Sequence, residues 1–166
     1  MRRTLLVDAV RSLLIAGLVA LWILLSGCQS LSKKHKSSNV VSLHYCAMKP
    51  SLDIKHKVYY GGGRQAYIRK SQVLASVNIP RIDTYAVDGG SGLRLYLDNH
   101  GRFVWTQISG GSKGRLLALM VGGELMAFLR IDAYNDRGII DIAGPFNTDK
   151  AETIARDAER NYELFN

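Results

Sequence analysis

Residues 13–25, LLIAGLVALWILL, form one unbroken apolar run behind Arg2, Arg3 and Arg11 and a single acid, Asp8. Thirteen residues fall short of the about 20 that a transmembrane helix needs. They suit the about 7–15 of a secretory h-region. Two small residues, Ser26 and Gly27, close the run and fit a peptidase pocket. Stretching the run back to Leu5 as an uncleaved anchor would bury Asp8 and Arg11, at roughly 2.5–3.5 kcal/mol each near mid-bilayer. The pattern predicts a signal peptide over residues 1–27.

Beyond it the periodicity changes. Residues 28–39 are polar, carry no apolar period and read as a basic tether. Residues 40–48 are β-rich and predict a first strand, ended before Pro50. Residues 51–65 mix Lys and His with Gly61-Gly62-Gly63 and read as a loop. Residues 66–70 predict a short strand, and 73–77 are apolar without a deciding period. Asp88-Gly89-Gly90-Ser91-Gly92 is a turn signal, and 93–97 alternate as a half-buried strand does. Residues 115–121 and 124–131 are strands joined at Gly122-Gly123, where positive φ is free of strain. Residues 138–144 predict another strand.

The last element is a helix over about residues 148–164. Ala151, Ile154, Ala155, Ala158 and Tyr162 recur at three- and four-residue spacings and form one apolar stripe. Lys150, Asp157 and Arg160 face elsewhere. Asn147 or Thr148 can accept from the open N–H groups of the first turn. Residues 98–112 read two ways. Phe103, Val104, Trp105 and Thr106 favour a strand, whereas Phe103, Val104, Gln107 and Ile108 would share a helical face. Hairpins plus a C-terminal helix predict an α+β fold, an antiparallel sheet with helices packed on one face. Residues 40–65 form its N-terminal strand and Gly-rich loop, and 66–166 its main domain.

Charge narrows the partners. The chain has 22 Lys+Arg and 14 Asp+Glu. Residues 1–27 hold three Arg and one Asp, so the remaining 139 residues carry 19 and 13, a net +6. That length suits one domain with a tether. Lys33, Lys34, Lys36, Lys49, Lys55 and Lys57 supply much of the excess. They predict either a solvated basic segment or attraction to anionic head groups, worth about 1 kcal/mol per close residue. An exported protein makes nucleic acid the least suitable polyanion, and no nucleic-acid partner is expected.

No catalytic set emerges. Ser91 in Gly-Gly-Ser-Gly lacks the strand–turn–helix of a nucleophile elbow. Lys113 in Gly110-Gly111-Ser112-Lys113-Gly114 lacks phosphate-loop spacing. Asp132, Asp136 and Asp141 are scattered over turn and strand positions, and His100 beside Gly101 reads as a surface turn residue. His44 and Cys46 share a strand face, but no third and fourth metal ligand lies nearby. Cys46 reads as a small buried hydrophobe or a free or partnered thiol. No cofactor, no metal and no catalytic residue are expected.

Leu25-Ser26-Gly27-Cys28 resembles the lipobox of bacterial lipoproteins. The resemblance implies cleavage between Gly27 and Cys28 and lipid attachment at Cys28. Leu25 takes the apolar specificity position. Two or more acyl chains such as palmitate would anchor the protein stably, since one chain alone is marginal. Gln29, where Asp would favour inner-membrane retention, leans towards the outer membrane.

Residues 66–162 resemble the SecDF periplasmic head subdomain. The matching pieces are Leu95-Tyr96-Leu97-Asp98-Asn99-His100-Gly101, residues 114–123, residues 138–146, and Thr148-Asp149-Lys150-Ala151-Glu152-Thr153-Ile154-Ala155. The resemblance implies a helix over about residues 99–109. SecD carries membrane helices and a base domain around its head, so its proton-coupled work does not transfer. What transfers is a scaffold touching unfolded or partner protein. The reading that follows is a non-catalytic, lipid-anchored, periplasm-facing binding module with a protein partner. Cell-wall or lipopolysaccharide binding through basic residues, or an envelope hydrolase, are the alternatives.

Overall fold

The computed structural model describes residues 38–166. The signal segment, the Gly27–Cys28 cleavage position, lipidated Cys28 and the tether before Ser38 lie outside the described residues.

The elements run β1 (Val41–Ala47), β2 (Ile54–Tyr60), β3 (Arg64–Ala75), β4 (Arg81–Val87), β5 (Gly90–Tyr96), α1 (Asn99–Gly111), β6 (Leu116–Val121), β7 (Glu124–Arg130), β8 (Ile139–Phe146) and α2 (Thr148–Phe165). The fold is α+β, and every strand pair is antiparallel. The strands form two sheets rather than one, in the orders β2-β3-β1-β6-β7 and β4-β5-β8.

β1 sits in the middle of the larger sheet, between β3 and β6. Residues 40–65 are thus built into the same sheet as the chain that follows. Its side chains alternate. Val41 and Leu43 enter the main core with Leu117, Leu119 and Val121. Cys46 joins Ile68, Ala118 and Met120 in a second cluster on the opposite face. The main core takes in both sheets and both helices, through Leu93, Leu95, Ile142, Trp105 and Ile154 among others. Full burial of one such side chain contributes about 1.5–3 kcal/mol.

Three segments depart from the sequence pattern. Residues 54–60 are a strand, not a loop, because Ile54, Val58 and Tyr60 point partly inward while Lys55, Lys57 and Tyr59 stay exposed. An edge strand tolerates such lysines, which discourage edge-to-edge pairing. β3 is one strand of 12 residues. Its register with β1 slips twice, pairing Leu43 with Leu74, His44 with Gln72 and Cys46 with Ile68. The polar stretch Arg69-Lys70-Ser71-Gln72 falls in that bulged part, so it breaks the apolar pattern without ending the strand. β4 pairs with β5 along its whole length, yet buries only Ile82, which leaves a weak period-two signal.

Residues 98–112 settle as a helix. The Asp98 side chain accepts from Gly101 N at 2.6 Å and caps α1. The buried face is Gly101, Trp105, Ile108 and Ser109, while Phe103 is exposed. At α2 the cap is Asn147, accepting from Lys150 N at 3.0 Å. Ala151, Ile154 and Ala158 are buried as the stripe predicts, and Asn161 joins them. α2 packs on β4, β5 and the 3-10 turn Ser76–Asn78, and α1 meets β3. Gly122 and Gly123 take φ values of 58° and 89° in the β6–β7 turn.

The first described residues are pinned to α2. Ser38 Oγ and Asn39 Nδ2 each donate to Asp157 Oδ2 at 2.7 Å. Asn161 Nδ2 donates to Ser38 O at 2.6 Å, and Arg160 donates to Asp157 Oδ1 at 3.0 Å. Burial pushes the Asp157 carboxyl up, but these donors and the Arg160 charge outweigh it and hold the group below its usual range.

Candidate functional site

β7 ends and β8 begins around one open cleft of about 510 Å³. Leu129, Arg130 and Ile131 line one wall, Ile139, Ile140 and Asp141 the other, and Trp105 of α1 also lines it. The volume lies within the roughly 300–1,000 Å³ usual for binding clefts.

The connecting segment, residues 131–138, has no regular structure but is held in place. Ser109 Oγ accepts from Asn135 N at 3.0 Å and lies 3.2 Å from Asn135 O, to which it donates. Asn135 Nδ2 donates to Ile139 O at 2.7 Å, and its Oδ1 accepts from Arg137 N at 3.0 Å. Arg102 Nε donates to Asp136 O at 2.7 Å. Two residues of α1, one turn either side of Trp105, thus fasten the loop. Trp105 is 5% exposed, and its Nε1–H has no acceptor among the described residues.

Chemically the cleft is mixed. Its walls are apolar at Leu129, Ile131, Ile139 and Ile140, and its rim carries Arg130, Arg137, Asp132, Asp136 and Asp141. Asp141 accepts from Arg94 Nε at 2.6 Å, on the outer face of the smaller sheet. Among the described residues, no three His, Cys, Asp or Glu side chains stand together as a metal site. The structure brings Asp132, Asp136 and Asp141 to one cleft, and leaves Ser91, His100 and Lys113 away from it. Ser91 is buried in β5, where its Oγ lies 3.2 Å from Thr148 Oγ1.

His44 and Cys46 sit elsewhere again. His44 is buried, with Nδ1 2.9 Å from Arg69 O and Nε2 3.0 Å from Ser42 Oγ. Burial lowers its pKa below the usual value, against the opposing pull of the Arg69 carbonyl. Burial pushes the Cys46 thiol up to about 11. A second, smaller cavity of about 230 Å³ lies near them, lined by His56, Val58, Ile68, Met120 and Leu125 among others.

A solved structure of SecDF, described as a membrane component that enhances protein export, aligns with this chain at a TM-score of 0.55 and 12% identity. The fold is SecDF head-like. A second structure, SecDF in a super-membrane-facing form, aligns at a TM-score of 0.56 and 12% identity. Both alignments cover 74% of this chain, but only 63% of the first SecDF chain and 19% of the second. The likeness at this identity is one of fold. No protein-family model and no curated protein matches the chain. Among the described residues, no helix is long and apolar enough to cross a membrane.

Sequence reasoning missed the cleft. Its walls come together only through the approach of β7 to β8 and the placing of Trp105. The available signal was Trp105 itself, a large aromatic in a segment whose period was ambiguous.

Proposed function

We propose that this chain is a non-catalytic module on the periplasmic face of the cell envelope, anchored by lipid at Cys28, that holds a protein partner in the β7–β8 cleft. The cleft carries the reading. It is open, lined by both polar and apolar groups and framed by a loop fastened at Asn135, so little ordering entropy is lost when a partner binds. The described cleft walls bring three carboxylates but no histidine, cysteine or serine, which suits binding better than hydrolysis. The fold likeness to SecDF, a membrane component that enhances protein export, supports polypeptide as the class of partner. Gln29 and the lipobox support outer-membrane anchoring.

The test is site-specific photo-crosslinking in cells from Tyr134 on the cleft loop, with Tyr59 on β2 as the control position. The reading expects a protein adduct from Tyr134 alone. Equal labelling from both positions, or none from Tyr134, removes it. For the anchor, Cys28→Ser should leave residues 1–27 attached and the protein free of acyl chains by intact mass.

A second reading concerns the β2–β3 hairpin. Lys55, Lys57, Arg64, Arg69 and Lys70 are all exposed there, with Asp53 close by in sequence as the one acid. This surface suits phosphate groups of lipid or lipopolysaccharide. Binding of the mature protein to anionic vesicles should fall when salt rises to about 0.5 M, where the Debye length is well under 10 Å.

A further inference from the structure

Charge is segregated along the described chain. Residues 48–72 hold six Lys and Arg against one Asp, a net +5, whereas the other described residues hold ten against twelve, a net −2. The six are Lys49, Lys55, Lys57, Arg64, Arg69 and Lys70, and all are exposed. Among the described residues none of the six stands in an ion pair, while Arg81, Arg94, Lys150 and Arg160 each do. Like charges gathered on one lobe raise its potential and attract an anionic surface.

The same stretch carries apolar side chains that neither core uses. Leu52 is 99% exposed, Tyr59 60% and Met48 56%, three of the seven large hydrophobic side chains left exposed among the described residues. A single exposed leucine is ordinary. What sets Leu52 apart is its mounting. It occupies the turn before β2, and Lys70 holds that turn to β3. Lys70 N donates to Asp53 O at 3.0 Å, and Lys70 Nζ donates to Leu52 O at 3.4 Å. The leucine therefore projects from fixed backbone beside a cation. On β2, Lys57 and Tyr59 share a face with Tyr67 of β3. Lys57 Nζ lies 5.4 Å from the centre of the Tyr59 ring.

Resting on the second reading, in which these basic residues meet phosphate, we infer that the surface they meet is an anionic phospholipid bilayer and that the turn at Leu52 enters it. Cations at head-group level, with apolar side chains reaching just beneath, make an interfacial contact. Lysine stems can lie along apolar surface while their charges stay in water. Tyrosine suits the boundary, since its ring is apolar and its hydroxyl wet. A soluble polyanion would engage the cations and leave Leu52 in water, so the bilayer is the better match. The reach permits it. The seven residues of β1 rise about 3.3 Å each, which puts the far end of the strand about 23 Å from its start near the Ser38 clasp. Under the proposed acylation, residues 28–37 extend up to about 35 Å.

The experiment uses the full chain, purified from the membranes of producing cells. It is reconstituted into phosphatidylcholine vesicles containing one quarter phosphatidylglycerol, with plain or brominated acyl chains. The unsubstituted protein, whose Trp105 is 5% exposed, gives the background emission. The proposal expects bromination to quench the added emission of Leu52→Trp at least twofold, and to leave that of Tyr134→Trp on the cleft loop unchanged. Without phosphatidylglycerol, or with Lys55→Ser and Lys57→Ser together, the quenching should shrink at least threefold. All these side chains are exposed, so the substitutions spare the fold, which circular dichroism checks. No quenching of Leu52→Trp overturns insertion, and salt-sensitive vesicle binding would then leave the phosphate reading standing alone. Equal quenching of Leu52→Trp and Tyr134→Trp overturns it in favour of a domain with no preferred side to the membrane. Quenching that ignores phosphatidylglycerol overturns the part given to the cations.

Discussion

The ring of Tyr60 lies against the ring of Phe128, with centroids 5.5 Å apart and planes at 50°. Tyr60 ends β2 and Phe128 lies in β7, the opposite edges of the five-stranded sheet. The sheet therefore curls until its two edges meet over the face that bears Cys46, Ile68, Ala118 and Met120. The curl encloses the second cluster and explains how Ile68 and Ala118, on the side away from the main core, are fully buried. Tilted aromatic pairs add about 0.5–1.5 kcal/mol beyond their buried area. A double-mutant cycle of Tyr60→Ala and Phe128→Ala should give a coupling energy in that range by urea denaturation. A coupling near zero would mean that the two rings are neighbours without consequence.

His44 makes stability depend on pH. Burial holds its folded pKa below the unfolded value of about 6.5. As pH falls, the unfolded chain therefore takes up the proton first. The contribution of neutral His44 is complete above about pH 6.5 and is lost as pH drops through the lowered folded value. Nδ1–H donates to the Arg69 carbonyl, so protonation also removes the Nε2 acceptor that faces the Ser42 hydroxyl. The denaturation midpoint should fall between pH 7.5 and 5, and the fall should be smaller in His44→Gln. An unchanged slope in the variant would assign the effect to another group.

Cys46 should be a poor nucleophile. Its thiol is pushed up to about 11, so very little thiolate exists at neutral pH. Iodoacetamide at pH 7.5 should modify it at least tenfold more slowly in the native protein than in urea. Native and unfolded rates that agree would show a thiol open to reagent.

Asp98 ties two helices together. Oδ1 accepts from Gly101 N at the start of α1, and Oδ2 accepts from Tyr162 Oη near the end of α2 at 3.2 Å. Asp98→Ala removes a cap and a long-range bond, so the expected loss is about 1–2 kcal/mol. Asp98→Asn, which keeps an acceptor for Gly101, should recover about half. Gly101→Ala should destabilise despite the better helix former. A Cβ there would lie 2.9 Å from both Asn78 Cβ and Asn78 O.

Asp157→Ala should release Ser38 and Asn39 from α2. It removes acceptors for two donors at 2.7 Å and the partner of Arg160. A loss of about 1–2 kcal/mol is expected, with faster amide exchange at Val40 and Val41. Unaltered exchange there would mean that β1 alone fixes the start of the domain.

The elements most legible in the sequence were those with local signals. Ala151, Ile154 and Ala158 mark one face of α2, and Gly122-Gly123 marks the β6–β7 hairpin. β2 was hidden because an edge strand can carry Lys55 and Lys57 where an inner strand could not. β3 was split because its bulge absorbs four polar residues. The division into two sheets has no local trace, since β5 pairs with β8 across some 45 residues. The cleft shares that cause. Its one sequence-level sign, Trp105, becomes informative only once residues 98–112 are known to be a helix and β7 is known to approach β8.

Because Ser38 and Asn39 are fastened beside Asp157, the described chain sets out from the flank of α2 before it enters β1. With Cys28 acylated, about ten residues separate the fatty chains from that clasp. They span at most about 35 Å when fully drawn out. Under the proposed acylation, that length alone would set the greatest distance between the lipid and Ser38, and so the radius within which partners are met.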